Sequence, residues 1–306
     1  MILSFNEWDQ LKSVVVGDAA YANWPTADPV FALEAEKTTW KETPVPSGPV
    51  PQWIINETNE DLNKLSDVLK KLGVQVNRPR IQNFQKSGGM YNYCPRDRLL
   101  VYGSTIVDCA MMYPCRDQEI MSYDQILART HDVRLMPRNK DMVFDAANVC
   151  RLGNTILYLN SISGNQAAYE WLCEQFPEVN IELCNFYGGV HIDSTIVPIR
   201  EGVVLLNGDR VNKDNCPKVF KSWEKIYINE VVAQDFYQYP YASKWIAMNI
   251  LTVNPTTVIV DKHQTKLILL LEQKNFTVIP LELRHSRTLG GGFHCVTLDL
   301  VRDSNK

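Results

Sequence analysis

Hydrophobic and polar positions along the chain recur in one order: a short apolar stretch, a turn former, a second apolar stretch, then a helical or irregular segment. Residues 98–108 (RLLVYGSTIVD), 149–159 (VCRLGNTILYL), 196–207 (IVPIREGVVLLN) and 250–261 (ILTVNPTTVIVD) each read as two apolar, β-branched strands joined by a tight turn. The turn residues Gly103, Gly153, Gly202 and Asn254 stand 50, 49 and 52 positions apart. A near-constant interval of this kind marks a repeated supersecondary unit.

Helices are expected between the hairpins. Residues 165–176 (NQAAYEWLCEQF) carry Ala168, Trp171 and Leu172 at helical spacing, with Asn165 as a start signal. Residues 262–273 predict another helix, followed by the strand FTVIPLEL. Residues 59–72 form an amphipathic pattern that Gly73 ends, and VQVNRP then reads as a strand. Near the N-terminus LKSVVVGDA supplies a strand that can pair with the C-terminal CVTLDLVR, which would close a ring. The expected fold is α/β and propeller-like, with about five strand-strand-helix-strand modules around a centre, because each module is too small to bury its own faces. Residues 21–53, rich in proline, read as a long rim or lid loop, and residues 111–140 as irregular with weak helical character near 123–129.

The length of 306 residues suits one large closed architecture or two ordinary domains. The repeat, with no linker visible, favours a single domain over 1–306. A net charge of −4 excludes the basic footprint of a nucleic-acid binder. The longest apolar run, Leu267 to Leu271, is far too short to cross a bilayer, and the N-terminal residues do not read as a signal peptide. The eight cysteines never form CxxC and read as reduced thiols of a cytoplasmic protein. Cys94, Cys109 and Cys115 with His131 match no zinc-ligand spacing. Trp245, Tyr237, Tyr239 and Tyr241 read as packing residues.

Candidate chemistry gathers just ahead of the repeats. Gly290-Gly291-Gly292 precede His294 and Cys295, and three ordered glycines imply a close backbone approach or positive φ. Gly188-Gly189 precede His191-Ile192-Asp193, where a strand would turn His191 and Asp193 to one face. Asp145 and Asp97 each stand shortly before a hairpin. Alone, each segment also fits a glycine turn with a buried cysteine, a polar edge or a capping acid. Asp97, Asp145 and His191/Asp193 recur at one phase of the repeat, which brings them towards the ring centre, where the last module adds Cys295. Carboxylates suit a planar cation such as a guanidinium, and a thiol with a nearby histidine suits attack on its carbon. His294, adjacent to Cys295, is expected to point away and serve a structural part.

The motifs NEWDQLKSVVVG (6–17), CPRDRLLVYGSTIVD (94–108), FDAANVCRLGNTI (144–156), HIDSTIVPIREGVVLLNGDR (191–210), SKWIAMNIL (243–251) and LGGGFHCVTLDLVR (289–302) together resemble the arginine:glycine amidinotransferase family, of pentein fold. The resemblance implies a pentein α/β-propeller of ββαβ modules. It implies Cys295 as a nucleophile forming an amidino-cysteine intermediate, His191 as general acid and base, and Asp145 as its orienting partner. Asp97 and Asp193 would grip the guanidinium, Arg210 the substrate α-carboxylate, and Ser243 would add a polar contact. L-arginine and an amine acceptor are the implied partners, L-ornithine the product; a homodimer is a family-level expectation, and no metal or organic cofactor is implied. Ala242 replaces a common serine, and Gly188-Gly189-Val190 stand where glycine-specific members carry Asn and Met. Gly188, Val190 and Ala242 are therefore acceptor-pocket candidates, and the acceptor is glycine or another, larger amine. A guanidine hydrolase on the same fold and a non-catalytic guanidine-binding protein are the competing readings.

Overall fold

The computed structural model describes residues 2–37, 47–138, 141–235, 239 and 241–303. Each of the four hairpins is present, and each opens a three-stranded sheet. In the first sheet Leu99–Tyr102 pairs antiparallel with Thr105–Asp108, and Asp132–Leu135 adds in parallel. The second repeats this plan with Val149–Arg151, Thr155–Leu159 and Asn180–Cys184. The third uses Ile196–Arg200, Val203–Asn207 and Glu224–Ile228, the fourth Leu251–Asn254, Thr257–Asp261 and Thr277–Leu281. The fifth joins the two ends of the chain: Thr297–Arg302 pairs antiparallel with Leu11–Val16, and Gln75–Asn77 adds in parallel.

A parallel neighbour requires a crossover. Helices Gln166–Gln175, Thr265–Gln273 and Gln52–Lys71 supply it in the second, fourth and fifth modules. Asn165 starts its helix as expected, its side chain accepting from the Ala168 amide at 3.1 Å. The third module crosses over with only a 3₁₀ turn, Lys218–Phe220, and the first with the 3₁₀ segment Pro114–Tyr123 and the short helix Asp124–Leu127.

Strand alternation closes the ring. Leu99, Val101 and Ile106 pack with Val15, Leu298 and Leu300, whereas Leu100, Tyr102 and Val107 turn the other way onto Val149, Ile156 and Tyr158. The second sheet's opposite face, Cys150, Leu157 and Leu159, meets Ile196, Val204 and Leu206. Val197, Ile199 and Leu205 then meet Val258 and Val260, and Leu251, Val253 and Ile259 meet Leu11, Val14 and Val16. Both faces of each sheet are thus buried against neighbours, which is why the hairpin strands are apolar at consecutive positions.

Three sequence expectations change. Residues 21–53 hold more order than a loop: the helix Pro29–Lys37 and a two-residue pairing of Asn23–Trp24 with Gly48–Pro49, while residues 38–46 lie outside the described part. The long helix begins at Gln52 rather than Asn59, with Pro51 at its N-cap. Within 111–140 the strand Asp132–Leu135 escapes a reading by hydrophobicity, since it is an edge strand of mostly half-buried residues. Among the described residues no helix is long and apolar enough to cross a membrane.

Buried charges tie the modules at the ring's centre. Asp299 Oδ2 accepts from Arg151 Nη2 at 2.6 Å, Arg302 Nε at 2.8 Å and Ser4 Oγ at 2.8 Å, and its other oxygen pairs with Arg96. Glu7 takes Arg151 in bidentate fashion at 2.8 and 2.7 Å. Arg151 also donates to the Val101 carbonyl of the first sheet, and Arg302 to the Thr252 carbonyl of the fourth. Asp299→Asn should leave three buried guanidinium groups short of their carboxylate and cost about 3–5 kcal/mol, read as a lower urea midpoint. Lys266→Ala, in an exposed pair with Glu230, should leave the midpoint unchanged.

Candidate active site

Every module contributes the residues that immediately precede its first strand. Asp97 sits in the helical turn Pro95–Arg98, ahead of Leu99–Tyr102. Asp145 stands before the 3₁₀ turn Ala146–Asn148 that leads into Val149–Arg151. His191 and Asp193 precede Ile196–Arg200, and Cys295 precedes Thr297–Arg302. The fourth module contributes Asn249, before Leu251–Asn254. Sequence reasoning missed Asn249 as a site residue, although its phase in the repeat matches the others.

His191 and Asp193 are not on a strand. They lie in a loop, and His191 takes φ +58°, a conformation costly for a side chain with a Cβ. That conformation is held from both sides. The His191 amide donates to Asn148 Oδ1 at 3.0 Å, and the Tyr187 hydroxyl donates to the carbonyls of Val190 and His191. The loop nevertheless brings both side chains to Cys295, so the expected proximity holds by a different route.

Cys295 Sγ donates to Asp193 Oδ2 at 3.2 Å. His191 lies between two acids, with Nε2 3.1 Å from Asp145 Oδ2 and Nδ1 3.7 Å from Asp97 Oδ1. Asp145 Oδ1 accepts from the Met112 amide at 2.8 Å, which fixes the carboxylate. Asn249 secures the Cys295 loop: its Oδ1 accepts from the Cys295 amide at 2.9 Å, and its Nδ2 donates to the Asp193 carbonyl at 3.4 Å. The glycine run is explained here. A Cβ on Gly292 would stand 2.6 Å from Asn249 Cβ, and one on Gly291 2.5 Å from Cys94 Sγ.

The electrostatics are set by these contacts. Burial works against a charged His191, but Asp97 and Asp145 outweigh it and hold its pKa well above the ordinary range. The neighbouring Cys94 thiol, burial and Asp193 push the Cys295 thiol well above its ordinary range, and the hydrogen bond with His191 only partly opposes them. Asp193, despite burial, is held down to about 2 by His294 and His191. Burial raises Asp97, against the pull of His191 and of Arg116, whose Nη1 donates to Asp97 Oδ2 at 2.9 Å. Asp97 Oδ1 is buried with no hydrogen-bond partner among the described residues. The resting site therefore combines a raised thiol, a histidine held towards its charged form and carboxylates that share their cations.

The remaining expected residues are placed as follows. Arg210 stacks over Tyr187, 4.1 Å from the ring centroid, and donates to Thr195 Oγ1 at 2.8 Å; it pairs with no carboxylate among the described residues. Ser243 is exposed and accepts from the Trp245 amide at 3.3 Å, capping the turn Lys244–Met248. Ala242 is half-buried; its amide donates to the Arg287 carbonyl, and its carbonyl accepts from Arg287 Nε at 2.7 Å. Gly188 and Val190 are exposed, and nothing lies within 4 Å of a Cβ built on Gly188. His294 does not simply fill space, since its Nδ1 lies 2.9 Å from Asp193 Oδ2. Trp245 and Tyr241 are buried, Tyr239 stacks on Tyr241, and Tyr237 lies outside the described residues.

No family model matches the chain. Among curated proteins, inosamine-phosphate amidinotransferase 1 of Streptomyces griseus is 40% identical, covering 98% of this chain and 97% of its own. The mitochondrial glycine amidinotransferase of Xenopus tropicalis is 28% identical over 98% of this chain and 83% of its own. The solved structure of an inosamine-phosphate amidinotransferase from Streptomyces griseus superposes with a TM-score of 0.92 at 39% identity, covering 99% of this chain and 97% of that one. The chain belongs to the amidinotransferase family that its motifs resemble, enzymes that transfer amidino groups, here on the pentein fold.

Proposed function

We propose that the protein moves the amidino group of L-arginine through an amidino-cysteine at Cys295 to a primary amine bulkier than glycine, releasing L-ornithine. The observation that carries this reading is the meeting of Cys295 Sγ with Asp193 at 3.2 Å, beside a His191 flanked by Asp145 and Asp97. A planar cation between Asp97 and Asp193 satisfies both acids and favours loss of the thiol proton to solvent. The thiolate attacks the guanidine carbon and the S–C bond forms. As the C–N bond to the ornithine nitrogen breaks, the His191 imidazolium supplies that nitrogen's proton. The now neutral imidazole takes a proton from the incoming amine, whose nitrogen displaces the thiolate. One histidine thus serves as acid, then as base. Arg210, free of a carboxylate partner among the described residues, is suited to the α-carboxylate of arginine.

Two observations support a bulky acceptor, of the kind that the inosamine-phosphate amidinotransferases are named for. Identity to such an enzyme is 40%, against 28% to a glycine amidinotransferase, each over 98% of this chain. Gly188 leaves open space at the loop carrying His191. A hydrolase differs only in the last nucleophile, so the dependence of ornithine release on an added amine separates the two.

Brief incubation with L-arginine, an acid quench and intact-mass analysis should show a gain of about 42 Da, one amidino group on a thiol. Cys295→Ala should lose both the adduct and turnover, and an unmodified wild-type protein that still releases ornithine would sink the covalent route. The thiolate absorbance assigned to Cys295, taken as wild type minus Cys295→Ala, should titrate well above the ordinary thiol value of about 8.5. A bound guanidine should move that midpoint down, because added positive charge favours the ionised sulfur. An inosamine phosphate should outcompete glycine as acceptor in a mixed assay; preference for glycine would reverse the acceptor assignment.

A further inference from the structure

The two acids proposed to grip the guanidinium share a supporting arrangement. Asp97 is bound by Arg116, which is itself locked onto Glu119 at 2.8 and 3.0 Å. Asp193 is bound by His294 Nδ1 at 2.9 Å, and His294 Nε2 lies 3.2 Å from Glu7 Oε2. On each side a buried carboxylate meets a cation that a second buried carboxylate anchors. Arg116 carries its charge at any working pH. His294 carries it only when both ring nitrogens hold protons.

Its surroundings demand that state. Both ring nitrogens face carboxylate oxygens, which only accept, so each needs a proton. Glu7 is kept ionised by Arg151 despite its burial, and Asp193 is kept ionised as described above. Burial opposes the imidazolium, and so does the charge of Arg96, whose Nε approaches the His294 carbonyl at 3.4 Å. The Cys150 thiol, which lines the same small cavity as Glu7, Asp193 and His294, is pushed well up by burial and adds no charge. The balance of these groups leaves His294 above its ordinary pKa.

We infer that His294 is a positioning residue for amidino transfer: clamped as an imidazolium between Glu7 and Asp193, it aims Asp193 at the nucleophile and at the bound guanidinium. The inference rests on the reading of Asp193 as a guanidinium ligand. Loss of one ring proton would set a nitrogen lone pair against a carboxylate lone pair and release one end of the clamp. Affinity for a guanidine is then full below the His294 pKa and falls as pH rises through it. His191 acts with the opposite sign, because losing its proton removes a positive charge near the guanidinium and raises affinity.

The test is L-arginine binding to the Cys295→Ala protein by calorimetry across pH, in which thiol ionisation plays no part. Affinity should weaken on the alkaline side. In Cys295→Ala/His294→Gln it should be about 10- to 100-fold lower near neutral pH, as for loss of a charge-assisted hydrogen bond, and the alkaline weakening should vanish. Nitrogen-15 spectra of the histidine-labelled protein, with His294→Gln for assignment, should show His294 doubly protonated at neutral pH; a singly protonated ring overturns the inference whether or not the variant folds. Arginine binding indifferent to His294 overturns the inference alone. Absence of arginine binding to Cys295→Ala overturns the donor reading, and the inference with it.

Discussion

Asp299 holds three guanidinium groups at once, and much of the molecule is organised around that contact. Arg96 comes from the turn ahead of the first sheet, Arg151 from the second, and Arg302 from the strand that carries Asp299 itself. Removing these charges from water costs several kcal/mol per ion, so the arrangement is tolerable only when complete. Asp299 is accordingly held far below the usual carboxylate range: burial opposes its charge, and Arg151, Arg96 and Arg302 prevail. Its strand also completes the ring by pairing with Leu11–Val16. The same network reaches the pocket, because Arg151 fixes Glu7, Glu7 faces His294, and His294 faces Asp193. The charges that close the ring therefore also set the field around Cys295.

Repetition made the architecture readable. Each hairpin is flanked by two neighbours and is apolar on both faces, so its strands stand out without their partners. The parallel third strands are harder, because they lie at the outer edge and are only partly buried; Asp132–Leu135, with two charged residues in four, looks like a loop. The site was legible for a related reason. Asp97, Asp145, His191 with Asp193, and Cys295 recur at the same phase, and phase in a ring is position around an axis. That logic survived an error of local structure, since His191 reaches the site from a left-handed turn and not from a strand. Glu7 and Arg116 were not legible as site residues. Glu7 meets His294 across 287 positions of sequence, and Arg116 sits in an irregular segment whose path no periodicity describes. Asn249 lay within a recognised motif, but its backbone-stapling role becomes visible only when the glycine run packs against it.

On the proposed reading, substrate charge and nucleophile activation are coupled through this arrangement. A buried thiol beside carboxylates and a second thiol, Cys94, is poorly ionised. The cations near the sulfur are largely engaged elsewhere: Arg116 faces Asp97, His294 faces Asp193, and His191 only partly lowers the thiol. On the proposed reading, further positive charge arrives with the substrate. On the proposed reading a guanidinium supplies it, whereas a neutral urea of similar shape neutralises neither acid and leaves the thiol protonated. Discrimination between the two falls on the chemical step as well as on binding, because the transition state is reached only from the ionised sulfur. On that reading the raised thiol is a condition on the substrate: the group to be attacked creates its own nucleophile.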